Sequence, residues 1–449
     1  MGLTTTKSAA WIQRDEKVIA PCQHFSYFPL TIQKVVGDII FDQDDNQFID
    51  FLSSASSLNL GSGFPAVTAA IKEQLELYSQ YTPAYIYNTK NISYAERLTS
   101  VYPGGASAKV CFGNCGSDAN DAAIKFARAY TGRTKIITFI NGYHGSTYGS
   151  ISLSAVTTRM RSKMGPFLPD IYNFPFYGDD LEDEVCEREC IKELERAFEA
   201  YLPPEEVAAV IIEPLQGDAG LIAAHQIFMK KLYALCKKYG ILFIAEEVQQ
   251  AFFRTGKWFS IEHYNIVPDG IIMGKSVGAG LPLGAFMAKE EIMDSLPAPA
   301  HLFTLGGHAL ACAAGCAAFD YMQGEEFQHI LAENEKVMER YLKNIMEKFP
   351  DIATRKSGKG MSRGLALTRR DSEKGTLIPD DVGTYKVLFR SYEKGLVIIS
   401  LGKNVLRIQP PLNIKPENLE RGFKIIEESI QEYLDGKITD EVLKFKKGW

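Results

Sequence analysis

The chain has 449 residues, 46% hydrophobic and 23% charged, the proportions of an ordinary globular protein long enough for two or three domains. Wholesale disorder, a coiled coil and a small stapled or metal-dependent scaffold are excluded by that length and composition. A net charge of −6 and a pI near 5.8 supply no positive field for a phosphate backbone, so no nucleic-acid partner is expected.

In chain order, the first sixty residues hold turn-like pieces and two hairpin-like runs, 37–42 and 47–51, separated by Asp44-Asp45-Asn46. From about residue 65 to 310, short β-branched runs alternate with helical periodicity. Candidate strands are 109–112, 135–139, 207–212, 241–245 and 270–273. That alternation predicts a mostly parallel sheet with helices on both faces. The last part carries long amphipathic helices at 333–348 and 417–433 and fewer strands, consistent with a smaller α+β domain. No internal repeat is evident. The domains expected are an N-terminal segment 1–64 that contributes to the small domain, a large domain 65–315 and a C-terminal small domain 316–449.

The eight cysteines are spread along a chain without a secretory apolar region and read as reduced thiols, which makes a cytoplasmic enzyme the expectation. Cys186 and Cys190 sit beside an acidic run with no second Cys/His pair, so no metal site is expected. The longest apolar stretches, 207–212 and 241–245, are of strand length, so no membrane partner is expected either.

In an open α/β sheet, ligands bind outside the carboxyl ends of the strands, and three strand ends here carry chemistry. The first is Gly113-Asn114-Cys115-Gly116-Ser117-Asp118-Ala119-Asn120, between a strand and an amphipathic helix. Free amides at the helix start, approached closely past glycine, make an anion cradle suited to a phosphate monoester; simple N-capping explains the same residues. The segment lacks the G-x-G-x-x-G dinucleotide pattern. The second is Gly274-Lys275-Ser276; the P-loop pattern fails because Asp269 stands where glycine is required. A lysine at a buried strand end can act as a Schiff-base nucleophile, or else lie in a surface loop. The third is Glu246-Glu247 at the end of the most hydrophobic strand, where a buried carboxylate needs a cation such as a protonated pyridine nitrogen. Acids decorating a helix start are the plainer alternative. A phosphate cradle, a buried lysine and a strand-end carboxylate together form the protein half of a pyridoxal 5'-phosphate (PLP) site.

At these residues the sequence resembles the class III aminotransferase family of fold-type I PLP-dependent enzymes, from Phe41-Asp42 to Pro410-Pro411. It is most similar to the isoleucine 2-epimerase branch of amino-acid racemases. The motifs are 113–133, Tyr143-His144-Gly145-Ser146-Thr147-Tyr148-Gly149, Tyr81-Thr82-Pro83-Ala84-Tyr85 and Ala298-Pro299-Ala300-His301-Leu302-Phe303-Thr304. The resemblance implies a large, mostly parallel-sheet domain and a smaller α+β domain built from the two chain ends. It implies that Gly116 and Ser117 hold the phosphate, Lys275 forms the Schiff base, Tyr143 stacks on the ring and Gln249 contacts its phenolic oxygen. Thr304 would reach the phosphate of the neighbouring subunit, so a homodimer, or a dimer of dimers, is the implied assembly. Glu246 would pair with the ring nitrogen in place of the family's usual Asp. Gly307-His308-Ala309 departs from the common Gly-Asn-Pro, and His308 is given no role.

Racemisation and transamination both begin when the freed lysine amine removes the Cα proton. Returning a proton to Cα from the opposite face inverts the centre, which benefits from a second acid/base. Asp218, in Glu213-Pro214-Leu215-Gln216-Gly217-Asp218, replaces the Glu of typical family members; the epimerase branch it resembles also has Asp, which the resemblance implies is the second base. A turn role explains an aspartate there as well. Racemisation is therefore the first reading, and amino transfer to 2-oxoglutarate or pyruvate the second. Arg407, in the strand-like Val405-Leu406-Arg407-Ile408, is the expected bidentate partner of the substrate carboxylate. Tyr85, with Tyr81, Tyr87, Leu58 and Phe28, suggests a pocket for a non-polar, branched side chain. A non-catalytic binding protein is argued against by Lys275; an aminomutase or decarboxylase fits the resemblance less well.

Overall fold

The computed structural model describes residues 3–446, which fall into two compact units: Pro65–Gly324, and a second made of the two chain ends, up to Phe64 and from Glu325 onwards. The unit Pro65–Gly324 is built on a seven-stranded sheet. Its strands are β1 (Ala108–Gly113), β2 (Lys135–Phe139), β3 (Ile171–Phe174), β4 (Val207–Ile212), β5 (Leu242–Glu246), β6 (Gly270–Met273) and β7 (Gly284–Lys289). They lie in the order β1-β7-β6-β5-β4-β2-β3. Only β7 runs antiparallel to its neighbours β1 and β6; every other pair is parallel.

The five strands expected from sequence all form. The two not expected are β3, a short edge strand, and β7, whose Gly-Ala-Phe-Met-Ala-Lys carries no β-branched residue. Strands β4 and β5 are buried along their whole length, which is why they read as unbroken apolar runs rather than alternating ones. One face is covered by the helix Gly116–Thr131, whose Ala119, Ala123, Phe126 and Ala127 join the core with Ile244, Ile272 and Phe286. The helix Ala309–Met322 spans the domain boundary expected at 315, yet it packs on helices Pro65–Leu77 and Thr89–Ser100 and belongs to this unit.

The unit of the chain ends contains two sheets. In one, Ile32–Val36, Ile39–Asp42 and Gln47–Asp50 form an antiparallel meander, and Leu396–Val397 adds in parallel beside Ile49 and Asp50. In the other, Ala353–Lys359, Ser362–Arg370, Val405–Ile408 and Ile399–Leu401 run antiparallel. Phe28 stacks on Tyr392 with ring centres 4.7 Å apart, and Tyr392 stacks on Phe48 at 5.1 Å. Phe28 is thus a packing residue of this unit's aromatic cluster. Among the described residues no helix is long and apolar enough to cross a membrane, and no group of three His, Cys, Asp or Glu side chains could hold a metal ion.

At the amino end of β6, Asp269 is 4% exposed and accepts hydrogen bonds from Lys237 Nζ (2.8 Å), Lys289 Nζ (2.6 Å) and the Phe243 amide (2.9 Å). Burial raises its pKa, but the two ammonium groups and the amide outweigh burial and hold it below the ordinary carboxylate value. A depressed carboxyl pKa contributes stability that is present above the unfolded value and lost as pH falls through the folded one. Asp269→Asn is therefore expected to cost about 2 kcal/mol near neutral pH, both lysines being partly solvated. Thermal unfolding across pH should show that deficit shrinking below about pH 4.

Candidate active site

The carboxyl ends of β1, β2, β4, β5 and β6 deliver the loops that carry most of the predicted residues. After β1, the Asp118 carboxylate accepts the amides of Asn114 (2.7 Å) and Cys115 (3.0 Å), folding the chain back at the start of Gly116–Thr131. Asp118 is thereby used as a cap at the start of that helix. A Cβ on Gly116 would lie 2.7 Å from Val248, and one on Gly274 would lie 2.9 Å from the Gly116 Cα. The β1 and β6 loops thus meet backbone to backbone, an approach only glycine permits. After β2, Gly145 has φ +129° and a Cβ there would stand 2.2 Å from Ser117 Oγ. Ser117 Oγ accepts the Ser146 amide at 3.1 Å. A helix start, glycine contacts and a hydroxyl converge as an anion cradle.

Beside this cradle lies a cluster of buried acids. Register pairs Ala245 with Ile212, so Glu246 and Glu213 follow one step later on adjacent strands. Glu213 receives the amides of Tyr143 (2.8 Å) and Gly217 (3.1 Å), joining the loops after β2 and β4. Burial raises its pKa well above the usual carboxylate range, and the charge of Glu246 raises it further. Glu246 is pushed up to about 8 by burial, against the Lys275 charge and a bond from Asn120 Nδ2 at 3.4 Å. Asn120 Nδ2 also donates to the carbonyls of Gly116 (2.9 Å) and His144 (3.0 Å), locking cradle to acid. His144 is held neutral, its pKa driven down to about 3 by burial. Glu247 is turned elsewhere: it accepts Ser260 Oγ and the Ile261 amide, each at 2.8 Å, and has a structural role.

Lys275 opens the turn after β6 in the left-handed region, φ +47°, with the equally left-handed Ala279 at the turn's far end. For a residue with a Cβ this costs roughly 1–3 kcal/mol, and strain of this kind clusters at functional sites. Gln249 and Asp218 are 5% and 8% exposed. Gln249 packs so tightly on Gly217 that a Cβ on that glycine would lie 2.3 Å from its amide oxygen. The Tyr143 phenol is raised by burial, lowered by its bond with Ser146 and raised again by the charges of Asp218 and Glu246, which places all three in one neighbourhood. The structure thus brings together Gly116, Ser117, Tyr143, Asp218, Glu246, Gln249 and Lys275. Thr304 and Tyr85 are in the same unit but exposed, Tyr85 by 84%. Arg407 belongs to the unit of the chain ends, in the strand Val405–Ile408, and is 3% exposed. Sequence reasoning missed Glu213 and Asn120, although Glu213 follows an apolar strand run just as Glu246 does.

The family model for aminotransferase class-III matches residues 22–430. The chain belongs to this family. It is 37% identical to isoleucine 2-epimerase of Lentilactobacillus buchneri over 99% of both chains. It is 36% identical to leucine/methionine racemase of Thermococcus litoralis, covering 98% of this chain and 99% of that one. Among solved structures, ornithine aminotransferase from Toxoplasma gondii superposes with a TM-score of 0.82 at 25% identity over 96% of each chain. The class III chain is an enzyme and its cofactor is pyridoxal phosphate. The residues present fit that group: the cradle suits its phosphate, and a carboxyl kept from ionising by burial is what a protonated ring nitrogen would stabilise. Because a methyl group at Gly145 collides with Ser117, Gly145→Ala is expected to weaken cofactor retention by about tenfold or more, a loss of ~1.4 kcal/mol. Titration of the apoenzyme with PLP, followed by absorbance, checks this.

Proposed function

We propose that the enzyme is an amino-acid racemase or 2-epimerase that inverts Cα of free non-polar amino acids, branched ones such as isoleucine foremost. The observation that carries the reading is the near full-length similarity to isoleucine 2-epimerase, with Asp218 buried at the strand-end cluster. Gly116 and Ser117 would hold the cofactor phosphate, Tyr143 would stack on the ring, Glu246 would pair with the ring nitrogen and Gln249 would meet the phenolic oxygen. When bound, PLP supplies an electron sink for the charge left when the Cα proton departs. Lys275 Nζ takes that proton from one face, and Asp218 gives one back from the other. In the reverse direction the two exchange duties, so Asp218 must start protonated in one sense and ionised in the other. Glu213 keeps the Gly217 amide fixed and with it the reach of the neighbouring Asp218. Arg407 receives the substrate carboxylate. An aminotransferase acting with 2-oxoglutarate or pyruvate is the second reading, favoured by the likeness to ornithine aminotransferase.

In deuterium oxide with L-isoleucine and no keto acid, the expected product is D-allo-isoleucine labelled at Cα. Turnover only after 2-oxoglutarate or pyruvate is added would establish the aminotransferase instead. Asp218→Asn should lower inversion by about a hundredfold or more while sparing Cα proton exchange from the Lys275 face. Inversion at the wild-type rate would remove Asp218 from the mechanism.

The reading includes a homodimer in which Thr304 completes the partner's phosphate site. Supporting it, Tyr81, Tyr85, Ile86, Tyr87, Leu302 and Leu305 are exposed, and a groove of about 560 Å³ runs along edge strand β1 beside Pro83, Ile92 and Phe303. Exposed apolar surface of this kind marks association. Tyr85, bare in the single chain, would enclose a substrate side chain only with a second copy in place. Leu302→Asp with Leu305→Asp is expected to give inactive monomers by sedimentation; an active dimer would put the interface elsewhere.

A further inference from the structure

Arg407 is held from two directions. Across the sheet it faces Gly364 on one neighbouring strand and Ile399 on the other, so the glycine leaves space over the strand for a guanidinium. Along its own strand the next residue on the same face is Gln409. Arg407 Nε donates to Gln409 Oε1, and Gln409 Nε2 donates to Ser362 Oγ at 2.7 Å. Gln409 and Ser362 are both fully buried. The backbone of Gln409 is equally committed: its amide donates to the Phe51 carbonyl at 2.9 Å, and its carbonyl accepts Ser53 Oγ at 2.7 Å.

Ser53 opens an unusual segment. Ser53, Ser54, Ala55 and Ser56 have φ of 44°, 49°, 55° and 67°, four consecutive left-handed residues without a glycine. Each costs roughly 1–2 kcal/mol against the right-handed form. The turn is held by Asp50 Oδ1, which accepts the amides of Leu52 (2.8 Å) and Ser53 (2.7 Å), and by the Ser53–Gln409 bond. Gln409 is therefore the junction between a buried guanidinium and a strained turn.

We propose that Gln409 is a positioning residue for carboxylate recognition, fixing the rotation of the Arg407 guanidinium and tying it to the turn at residues 53–56. The proposal rests on Arg407 as the receiver of the substrate carboxylate. The chemistry of the side chain explains the choice of residue. A neutral amide oxygen accepts from Nε without cancelling the positive charge, whereas a carboxylate at the same place would form an ion pair and compete with the substrate.

The test measures, by absorbance titration of the holoenzyme, the affinity for L-isoleucine and for 2-methylbutylamine, the same molecule without its carboxylate. Gln409→Met is expected to weaken the amino acid by about tenfold, the worth of one buried hydrogen bond, and to leave the amine unchanged. Gln409→Glu, which keeps the acceptor and adds charge, should weaken the amino acid further, again sparing the amine. Ser362→Ala, the mildest variant, should act in the same direction with a smaller loss. Added to Arg407→Met, Gln409→Met should produce no additional loss, because it acts through the arginine. Equal losses for acid and amine, or a full additional loss in the double variant, would overturn the proposal and leave Gln409 as a packing residue. An unchanged affinity in Arg407→Met alone would instead remove Arg407 from carboxylate binding, and Gln409 with it.

Discussion

Two carboxyl groups, Glu213 and Glu246, end adjacent parallel strands one register step beyond the paired Ile212 and Ala245, in a place where burial opposes ionisation of either. Like charges so placed repel by a few kcal/mol even with partial screening, and neither can be left without donors. The loops around them are arranged by that need. Tyr143 and Gly217 turn their amides onto Glu213, which fixes the loops after β2 and β4 relative to each other. Asn120 and Lys275 answer Glu246 from the loops after β1 and β6. Five strand ends, β1, β2, β4, β5 and β6, are thus drawn to one point around two acids. The residues proposed to handle a cofactor and a proton sit on the same loops.

The closeness of those loops depends on missing side chains. Gly116 against Gly274, Gly145 against Ser117 and Gly217 against Gln249 are contacts that a single methyl group would break. Glycine weakens a fold through unfolded-state entropy, so three such contacts within one site are stabilised from outside it. The fully buried β4 and β5, and the ion cluster around Asp269 at the opposite end of the sheet, provide that rigidity. Distance between the two ends lets each be built for a different purpose.

The large sheet was legible because its central strands are unbroken apolar runs, and because the polar residues that end them stand out. The same signal identified Glu246 and could have identified Glu213, whose strand is the more uniformly apolar. Strand β7 escaped because antiparallel insertion between β1 and β6 depends on tertiary pairing, which its propensity does not announce. The unit of the chain ends was less legible for a related reason. Its sheet joins Leu396 to Ile49 and Val397 to Asp50, pairs that no local window spans. Phe28 shows the same reach: it stacks on Tyr392, a partner more than three hundred residues away. Tyr85 read as a pocket residue from its motif, yet no periodicity in a single chain tells a side chain that waits for a second copy from one that simply faces solvent.

Strain completes the picture, since the left-handed residues are not scattered at random. Lys275 and Ala279 lie at the two ends of the loop that follows β6, and Ser53–Ser56 form a continuous turn tied to Gln409. Four left-handed residues together cost roughly 4–8 kcal/mol, comparable with the whole margin of many domains. Such a turn survives only if its surroundings over-determine it, and here two amides on Asp50, a hydroxyl on Gln409 and an amide on Phe51 do so. A loop needed merely to connect Asp50 with Asn59 would relax by placing glycine in the turn. With serine and alanine there instead, the strain must be offset by the contacts the turn makes. One of those contacts, from Ser53 Oγ to the Gln409 carbonyl, links the turn to the proposed support of Arg407.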